Sequence, residues 1–252
     1  MPGPRRPSGK KPRSSGTSGR NPTRTAQKVK TARGRRLAST RWLERQLNDP
    51  YVSRAKLEGF RSRSAFKLAE IDDEFRFLKP GGRIVDLGAA PGGWSQIAAR
   101  RTHADSGEGK VVAIDIHGIE PIAGVTILKQ DFLEPGAAEE LIKALGGDRA
   151  DAVVSDMAAH ATGHRQTDHF KIMALADAGL VFARQVLKPG GTYVCKVLRG
   201  GAESDLLAAL KREFRRVRHF KPESSREDSA ELFLVATGYR GQAGQGVSDD
   251  AE

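Results

Sequence analysis

The chain has 252 residues, 38% of them hydrophobic, and a formal net charge of +11. No apolar stretch approaches the roughly 18 residues of a membrane-spanning helix, so we expect a soluble protein with one sizeable core. The single cysteine, Cys195, excludes an internal disulfide, and the histidines have no cysteine partners at zinc-finger spacing. These features favour a reducing cytoplasm and give no indication of structural zinc.

The positive charge is concentrated in the first 41 residues. They hold thirteen Lys or Arg and no Asp or Glu, which leaves 29 basic and 31 acidic residues, a net charge of −2, for the rest of the chain. The segment is rich in Pro, Gly and Ser, so we predict a disordered basic tail over residues 1–41 that binds a polyanion, above all nucleic acid. A purely solubilising tail and a mitochondrial transit peptide are the alternatives, although Pro and Gly oppose the amphipathic helix of a transit peptide.

Helix signals come first after the tail. Residues 41–49 and 50–60 are short helical candidates. Residues 62–78 form a stronger candidate because large apolar residues repeat there at helical spacing. The sequence KPGG at 79–82 then predicts a stop.

Apolar, strand-like runs alternate with helix-like stretches through the rest of the chain. The runs are 83–88, 110–116, 125–131, 151–157, 191–198 and 231–238. This alternation predicts βαβ units, and therefore a doubly wound α/β fold with a parallel sheet covered by helices on both faces. Residues 215–220 and 231–238 have no clear helix between them, so we expect a terminal antiparallel pair.

Residues 84–98, IVDLGAAPGGWSQIA, join the first strand to a helix through a glycine-rich turn. Gly88, Gly92 and Gly93 permit a tight turn and close approach of a ligand, and the helix that follows offers free backbone N–H groups. The spacing G-x-x-x-G-G is neither the dinucleotide G-x-G-x-x-G motif nor a P-loop, because no Lys-Ser or Lys-Thr follows. A pyrophosphate is therefore not the favoured ligand, and a plain strand-to-helix connection is the alternative.

Three acids stand at the ends of the first three predicted strands, where ligands bind in open α/β sheets. Asp86 precedes the glycine turn, Asp115 closes the second strand and Asp131 follows the third. Asp115 lies about twenty residues after the turn, where nucleotide-binding folds place a carboxylate for ribose hydroxyls. Asp131 is placed to accept from an exocyclic amine. Together the acids indicate an adenosine-bearing ligand without a pyrophosphate, such as S-adenosylmethionine, although each acid alone is typical of a solvated strand end.

Four segments follow one another in continuous order over roughly residues 40–240: DPYVSRAKLEGFRSRSAFKLAEID, VDLGAAPGGWSQ, SDMA and KPESSREDSAELFLVATG. Together they resemble the FtsJ (RrmJ, RlmE) family of ribose 2′-O-methyltransferases, which act on large-subunit ribosomal RNA. The resemblance implies S-adenosylmethionine as cofactor and a Rossmann-like methyltransferase sheet of about seven strands, the last antiparallel. We expect this domain over residues 42–240 and a flexible end over 241–252.

The family uses a Lys-Asp-Lys-Glu tetrad, and the resemblance places it at Lys67, Asp156, Lys196 and Glu231. Three of these charges stand at or near predicted strand ends, where they need partners or must line a cleft. An ion-paired strand end is the alternative. Lys196 is the candidate general base or alkoxide stabiliser, and we also assign Asp156 and Trp94 to the cofactor site.

Four basic residues, Arg54, Lys56, Arg61 and Arg63, come shortly before Lys67. Near the mouth of an active site they would hold phosphates on either side of the target ribose. A solvated basic helix face is the alternative.

The loop after SDMA departs from the family, because many bacterial members continue with Pro-Asn and this chain has Ala159 and His160. His160, His164 and His169 do not predict a metal site, because Gly163 interrupts helical spacing and Asp168 is the one evident acidic neighbour. We therefore expect no metal.

The resemblance implies 2′-O-methylation of a uridine in the peptidyl-transferase region of 23S ribosomal RNA, within an assembled large subunit, by a cytoplasmic monomer. The alternatives are a 2′-O-methyltransferase acting on transfer RNA, a nucleotide-dependent oxidoreductase, and a noncatalytic RNA-binding factor for ribosome assembly.

Overall fold

The computed structural model describes residues 37–158, 162–199 and 204–241, together with Gly3. The helices are α1 (Leu37–Asn48), α2 (Pro50–Leu57), α3 (Ala65–Phe75), α4 (Gly93–Thr102), α5 (Ala137–Ala144), α6 (Arg165–Val186) and α7 (Ser204–Glu213), with a 3₁₀ helix at Ala104–Ser106. The strands are β1 (Arg83–Leu87), β2 (Lys110–Asp115), β3 (Val125–Lys129), β4 (Ala150–Ser155), β5 (Leu187–Leu198), β6 (Phe214–Phe220) and β7 (Glu231–Tyr239).

Helix α1 belongs to a compact unit that ends at Asn48, and the remaining described elements belong to a second unit that begins at Asp49. The helix begins at Leu37, so the predicted boundary of the tail at residue 41 falls inside it. Near the end of α1, Asn48 Nδ2 donates to the Glu44 main-chain oxygen at 2.7 Å. Most of the predicted tail, residues 4–36, and the C-terminal residues 242–252 lie outside the described residues.

The strands form a seven-stranded sheet in the order β3-β2-β1-β4-β5-β7-β6. Neighbours from β3 to β5 are parallel, while β7 lies antiparallel to both β5 and β6. The short connection between β6 and β7 contains no helix, so β7 can pair with β6 only in the antiparallel sense. The predicted Rossmann-like methyltransferase sheet, with its last strand antiparallel, is therefore confirmed.

The core is divided by the sheet into two layers. One layer buries apolar side chains of α5, α6 and α7, and the other buries those of α3 and α4. Consecutive residues of a central strand serve both layers, because side chains alternate across a strand: Val153 of β4 packs with the first layer and Val154 with the second.

The chain reverses its direction of winding between β1 and β4. It proceeds from β1 to β2 and β3 on one side and then returns to place β4 on the other side of β1. In open sheets, ligands bind beyond the carboxyl ends of the strands at such a reversal. The glycine turn follows β1 and Asp156 follows β4, so both lie at this position.

No helix within the described ranges is both long enough and apolar enough to cross a membrane.

Candidate active site

The structure brings the four predicted tetrad residues together at one edge of the sheet. Lys67 lies in the first turn of α3, and Asp156 directly follows β4. Lys196 lies near the carboxyl end of β5, and Glu231 begins β7. Because β5 and β7 are antiparallel, with Glu231 paired to the last residue of β5, the start of β7 lies beside the end of β5.

The four charged groups form one connected cluster. Lys67 Nζ lies 2.7 Å from Glu231 Oε1 and 3.4 Å from Asp156 Oδ2. Lys196 Nζ lies 3.1 Å from Asp156 Oδ1 and donates to the Asp156 main-chain oxygen at 2.7 Å. Asp156 therefore contacts both lysines, and the two cations balance the two carboxylates.

Lys67 is held in its charged form. Burial by itself would lower the pKa of the Lys67 amine, but the nearby carboxylates of Asp156 and Glu231, and the hydrogen bonds to them, outweigh burial and raise that pKa above its ordinary value. The ammonium also lies 5.6 Å from the centroid of the Phe233 ring. Lys67 consequently stays cationic and offsets the charge of both carboxylates.

Lys196 retains the capacity for one further contact. Its side chain is 7% exposed. An ammonium has three N–H groups, and Asp156 accepts from Lys196 through two different oxygens, while the described residues offer no third acceptor. The amine can therefore meet a substrate hydroxyl at the mouth of this cluster.

The structure adds a residue to the cluster that the sequence did not indicate. Ser225 Oγ donates to Glu231 Oε1 at 3.0 Å, and the same carboxylate oxygen pairs with Lys67. Ser225 is buried and lies in the connection between β6 and β7. Its separation of six residues from Glu231 follows no regular periodicity, so the sequence carries no signal for this contact.

The connection that carries Ser225 is anchored by Arg63, one of the predicted RNA-binding residues. The Arg63 guanidinium donates to the Ser224 main-chain oxygen and pairs with Asp49 at 2.6 Å. Glu70 accepts from the Ser224 N–H at 3.1 Å. The Arg63 side chain is 15% exposed, so it braces the active-site loop and offers little surface to a phosphate.

Arg61 is also occupied by internal contacts. Its guanidinium donates to the main-chain oxygens of Pro91, Glu120 and Pro121 at 3.2, 2.6 and 2.7 Å. These bonds tie the glycine turn to the segment after β2, which is a structural role that sequence reasoning could not distinguish from phosphate contact.

The other two predicted RNA-binding residues are more accessible. Arg54 pairs with Glu58 at 2.6 Å and lies over the Phe66 ring, but 58% of its side chain is exposed. Lys56 is exposed on α2. Of the four predicted residues, these two are placed to meet an external phosphate.

The glycine turn is closed so tightly that side chains would not fit. A Cβ on Gly88 would lie 2.3 Å from Met157 Cγ, and one on Gly92 would lie 2.6 Å from Ile122 Cδ1. Gly88 and Gly92 also have φ values of 68° and 109°, which strain other residues. The turn after β1 thus packs closely against Met157 and Ile122.

Asp86 and Trp94 support the turn from inside the core. The Asp86 carboxylate is 1% exposed and accepts from Ser95 Oγ at 2.6 Å. Burial raises the pKa of Asp86 to about 7, although the Ser95 hydrogen bond opposes this shift. The Trp94 indole is 3% exposed and donates to the Ser64 main-chain oxygen at 2.8 Å. Both were predicted to line the cofactor site, and both are packed inside the protein next to the glycine turn.

Asp115 ends β2 and Asp131 follows β3, each close in sequence to an exposed apolar side chain. Asp115 Oδ2 accepts from the Ala90 N–H at 2.9 Å, which ties β2 to the glycine turn, and Asp131 Oδ1 accepts from the Leu133 N–H at 3.0 Å. Ile116 and Leu133 are 60% and 59% exposed. An apolar residue directly after a strand-closing acid was the available sequence signal for Ile116, and our sequence reasoning missed it.

The loop after β4 is described only in part, because the predicted family departure at Ala159 and His160 lies outside the described residues. Within the ranges given above, no group of three or more His, Cys, Asp or Glu side chains is arranged to hold a metal ion.

Comparison with known proteins agrees with this geometry. The profile of the FtsJ-like methyltransferase family matches residues 60–239, a span that contains the tetrad cluster and the glycine turn. The chain belongs to the FtsJ-like methyltransferase family. It is therefore an S-adenosylmethionine-dependent methyltransferase.

Two curated relatives resemble most of the chain, and both are named Ribosomal RNA large subunit methyltransferase E. The protein of Xanthobacter autotrophicus is 61% identical over 216 residues, which cover 86% of this chain and 85% of that protein. The protein of Parvibaculum lavamentivorans is 53% identical and covers 97% of this chain and 99% of that protein. A crystal structure described as a ribosomal RNA methyltransferase of Plasmodium falciparum matches with a TM-score of 0.65 at 30% identity, over 73% of this chain and 100% of that chain.

The residues at the crevice fit S-adenosylmethionine in an FtsJ-like methyltransferase. Gly88 and Gly92 keep the turn narrow, because the side chains of Met157 and Ile122 already occupy the space that a Cβ would take. The Asp115 carboxylate uses one lone pair per oxygen for backbone N–H groups and retains others for ribose hydroxyls. The exposed side chain of Ile116 offers apolar surface to a base.

Proposed function

We propose that the protein methylates the 2′-hydroxyl of a uridine in 23S ribosomal RNA. The observation that carries this proposal is the ion-paired cluster of Lys67, Asp156, Lys196 and Glu231 at the carboxyl ends of β4 and β5. A ribose hydroxyl is a weak nucleophile while protonated, so a catalyst has to align it and accept its proton or stabilise its developing charge. The names of the two curated relatives support ribosomal RNA as the substrate.

We assign the cofactor site to the glycine turn and the strand-end acids. The main chain at Gly88, Gly92 and Gly93 would lie close to the cofactor, and Asp115 would accept hydrogen bonds from its ribose hydroxyls. Asp131 would accept a hydrogen bond from the adenine amine. Bound S-adenosylmethionine supplies a methyl group activated by a positively charged sulfur. Asp86 and Trp94 fix the turn from below.

Lys196 is the group we place against the 2′-oxygen. Methyl transfer would form the bond between the 2′-oxygen and the methyl carbon while the bond between that carbon and the sulfur breaks, and the hydroxyl proton has to leave the oxygen. A neutral Lys196 amine would accept this proton, whereas a Lys196 ammonium would stabilise the alkoxide once the proton has passed to water. In either form, Asp156 holds the amine in place through two oxygens.

Lys67 and Glu231 support this arrangement without contacting the hydroxyl. Lys67 remains cationic because its pKa is raised by Asp156 and Glu231 against the effect of burial. It also pairs with Asp156 at 3.4 Å and so helps to hold that carboxylate in place beside Lys196. Glu231 fixes Lys67 at 2.7 Å.

We further propose that the RNA backbone meets Arg54, Lys56 and the basic segment over residues 1–36. This segment has twelve Lys or Arg and no acid, so its attraction to RNA is independent of sequence. The substrate is an assembled large subunit, and the enzyme acts as a cytoplasmic monomer.

Transfer of labelled methyl from S-adenosylmethionine to large ribosomal subunits, to protein-free 23S RNA and to purified transfer RNA tests the proposal. Nucleoside mapping should place the label in 2′-O-methyluridine of the large subunit. Label found in transfer RNA alone would show that transfer RNA is the substrate and contradict ribosomal RNA. Label found on a base would contradict methylation of the ribose. No label in any RNA would favour a noncatalytic assembly factor.

A further inference from the structure

A cavity of about 350 Å³ lies at the edge of the sheet opposite the tetrad. Lys188 and Thr192, in the first half of β5, line it, whereas Lys196 lies near the other end of that strand. Thr237 lines it near the end of β7, six residues after Glu231. At about 3.3 Å per residue of strand, roughly 20 Å separates Glu231 from the level of the cavity.

The lining of the cavity is strongly basic. It contains five cationic side chains and two carboxylates, a formal charge of +3. The cations belong to Arg76, Lys79, Lys188, Arg216 and Arg218. The carboxylates belong to Glu74 and Asp151.

Two of the five cations are paired inside the protein. Lys188 pairs with Asp151, and Arg218 Nη1 lies 2.9 Å from Glu74 Oε1. The other three, Arg76, Lys79 and Arg216, form no ion pair with any residue that the structure describes, and all three are exposed. They come from two separate parts of the chain: Arg76 and Lys79 follow α3, and Arg216 lies on β6.

Protection of the sheet edge does not account for this arrangement. Strand β6 is the last strand of the sheet, and charged residues on an edge strand discourage pairing with another chain. That explanation covers Arg216 and Arg218, but not the convergence of Arg76 and Lys79 on the same cavity. Like charges gathered around a concave surface repel one another, and a bound anion relieves this repulsion.

We propose that this cavity binds a backbone phosphate of the RNA substrate, several nucleotides from the methylated ribose. The proposal rests on the proposed RNA substrate. Strand β6 runs from the cavity, where Arg216 and Arg218 lie, toward the tetrad edge. A span of roughly 20 Å corresponds to about six phosphates along one strand of a helical nucleic acid. A phosphate held at this distance fixes the register of the RNA without reading its sequence.

The double variant Arg76→Gln/Arg216→Gln tests the proposal. The matched control is Lys143→Gln/Lys211→Gln, which removes the same charge from exposed positions on α5 and α7, helices that pack on the other face of the sheet. Affinity for large subunits or 23S RNA is measured over a range of salt concentrations for both variants and the wild type, together with kcat and KM for methyl transfer.

We expect the cavity variant to weaken RNA binding about tenfold and to lower the slope of log K against log salt by about 0.7 to 0.9, the contribution of one phosphate contact. KM for RNA should rise, while kcat at saturating RNA and affinity for S-adenosylmethionine stay unchanged. The control variant should keep the wild-type slope to within experimental error. An equal loss in the control, or no loss in the cavity variant, would overturn the proposal.

A titration of isotope-labelled protein with inorganic phosphate, followed by NMR at constant ionic strength, separates an RNA contact from a site for free anions. Changes in the chemical shifts of Arg76 and Arg216, combined with weaker RNA binding by the cavity variant, support the proposal. The same changes with normal RNA binding by that variant would assign the cavity to a small anion and contradict the proposal. A wild-type enzyme that transfers no methyl to any RNA refutes the proposed function instead, so the two failures are distinguishable.

Discussion

Asp156 accepts from Lys196 through two oxygens, Oδ1 at 3.1 Å and its own main-chain oxygen at 2.7 Å. The amine is therefore fixed relative to the backbone at the end of β4 as well as to a side chain that can rotate. The second carboxylate oxygen of Asp156 faces Lys67 at 3.4 Å, and Lys67 in turn pairs with Glu231. A change at Glu231 should consequently reach Lys196 through two intervening groups.

Ser225 provides a mild way to disturb this chain of contacts. Ser225→Ala removes the hydrogen bond to Glu231, and a hydrogen bond to a charged group contributes about 1.5 to 3 kcal/mol. Because only part of this energy affects the orientation of Lys67, we expect kcat to fall about threefold to tenfold while KM for S-adenosylmethionine is unchanged. Steady-state methylation of large subunits measures both parameters.

The neighbouring Ser224 supplies the matched control. Its hydroxyl is buried and has no hydrogen-bond partner among the described residues. Ser224→Ala therefore removes an unsatisfied polar group and should leave both kcat and stability at or slightly above the wild-type values. If both variants lose activity equally, the contribution of Ser225 is to the packing of the loop and not to Glu231.

Gly88 tests whether the narrow turn forms the cofactor site. Gly88→Ala places a Cβ 2.3 Å from Met157 Cγ at a φ of 68°, so both crowding and backbone strain oppose it. We expect a loss of about 1 to 3 kcal/mol in the free energy of unfolding and a weaker affinity for S-adenosylmethionine, measured by denaturation and calorimetry. Gly118→Ala, where a Cβ meets no atom within 4 Å, is the control and should change neither quantity. Unchanged cofactor affinity in folded Gly88→Ala would place the cofactor elsewhere.

Asp86 should make stability depend on pH. Burial raises the pKa of its carboxyl to about 7, against an ordinary value of 3.8. The folded state thus holds this proton more tightly than the unfolded state, and the contribution of Asp86 to stability falls as pH rises from about 4 through 7. Asp86→Asn lacks this titration, so the free energy of unfolding of the variant minus that of the wild type should increase across that range.

Denaturant unfolding between pH 4 and 8 provides this measurement. Asp105→Asn controls for the loss of one negative charge at an exposed position on the 3₁₀ helix. A difference between Asp86→Asn and wild type that stays flat or decreases with pH would mean that the buried carboxyl is ionised throughout the range.

Deletion of residues 1–35 should reduce the salt dependence of RNA affinity. The deleted segment carries eleven Lys or Arg, and each phosphate contact adds about 0.7 to 0.9 to the slope of log K against log salt. We expect a flatter slope and weaker binding at low salt, with kcat at saturating RNA retained. A slope equal to that of the full chain would show that these cations make no phosphate contacts.

The fold was largely predictable because its evidence is local. The apolar runs predicted the seven strands, and the lack of a helix between β6 and β7 predicted their antiparallel pairing. The strand-end acids and the glycine turn were equally local signals. Local sequence did not show whether a residue binds a ligand or makes contacts inside the protein. Residue types typical of a ligand site occur at Asp86, Trp94, Arg61 and Arg63, but the side chain of each contacts internal partners.

The contacts that join distant segments were the least predictable features. The cavity of Arg76 and Arg216 requires the end of α3 to meet the edge strand β6, and 140 residues separate the two arginines. Ser225 meets Glu231 in a loop whose neighbouring residue, Ser224, is held by Arg63 and Glu70. These pairings depend on how helices pack on the sheet, which the composition of either segment does not reveal.

Single-turnover methyl transfer by Lys196→Ala, with enzyme in excess over large subunits, measures the central claim most directly. We predict a rate about 10² to 10⁴ below that of the wild type, the range typical of general acid–base catalysis, with unchanged affinity for S-adenosylmethionine. Lys211→Ala, an exposed lysine on α7, should retain the wild-type rate. A near-normal rate for Lys196→Ala would contradict the assignment of the reacting hydroxyl to this amine.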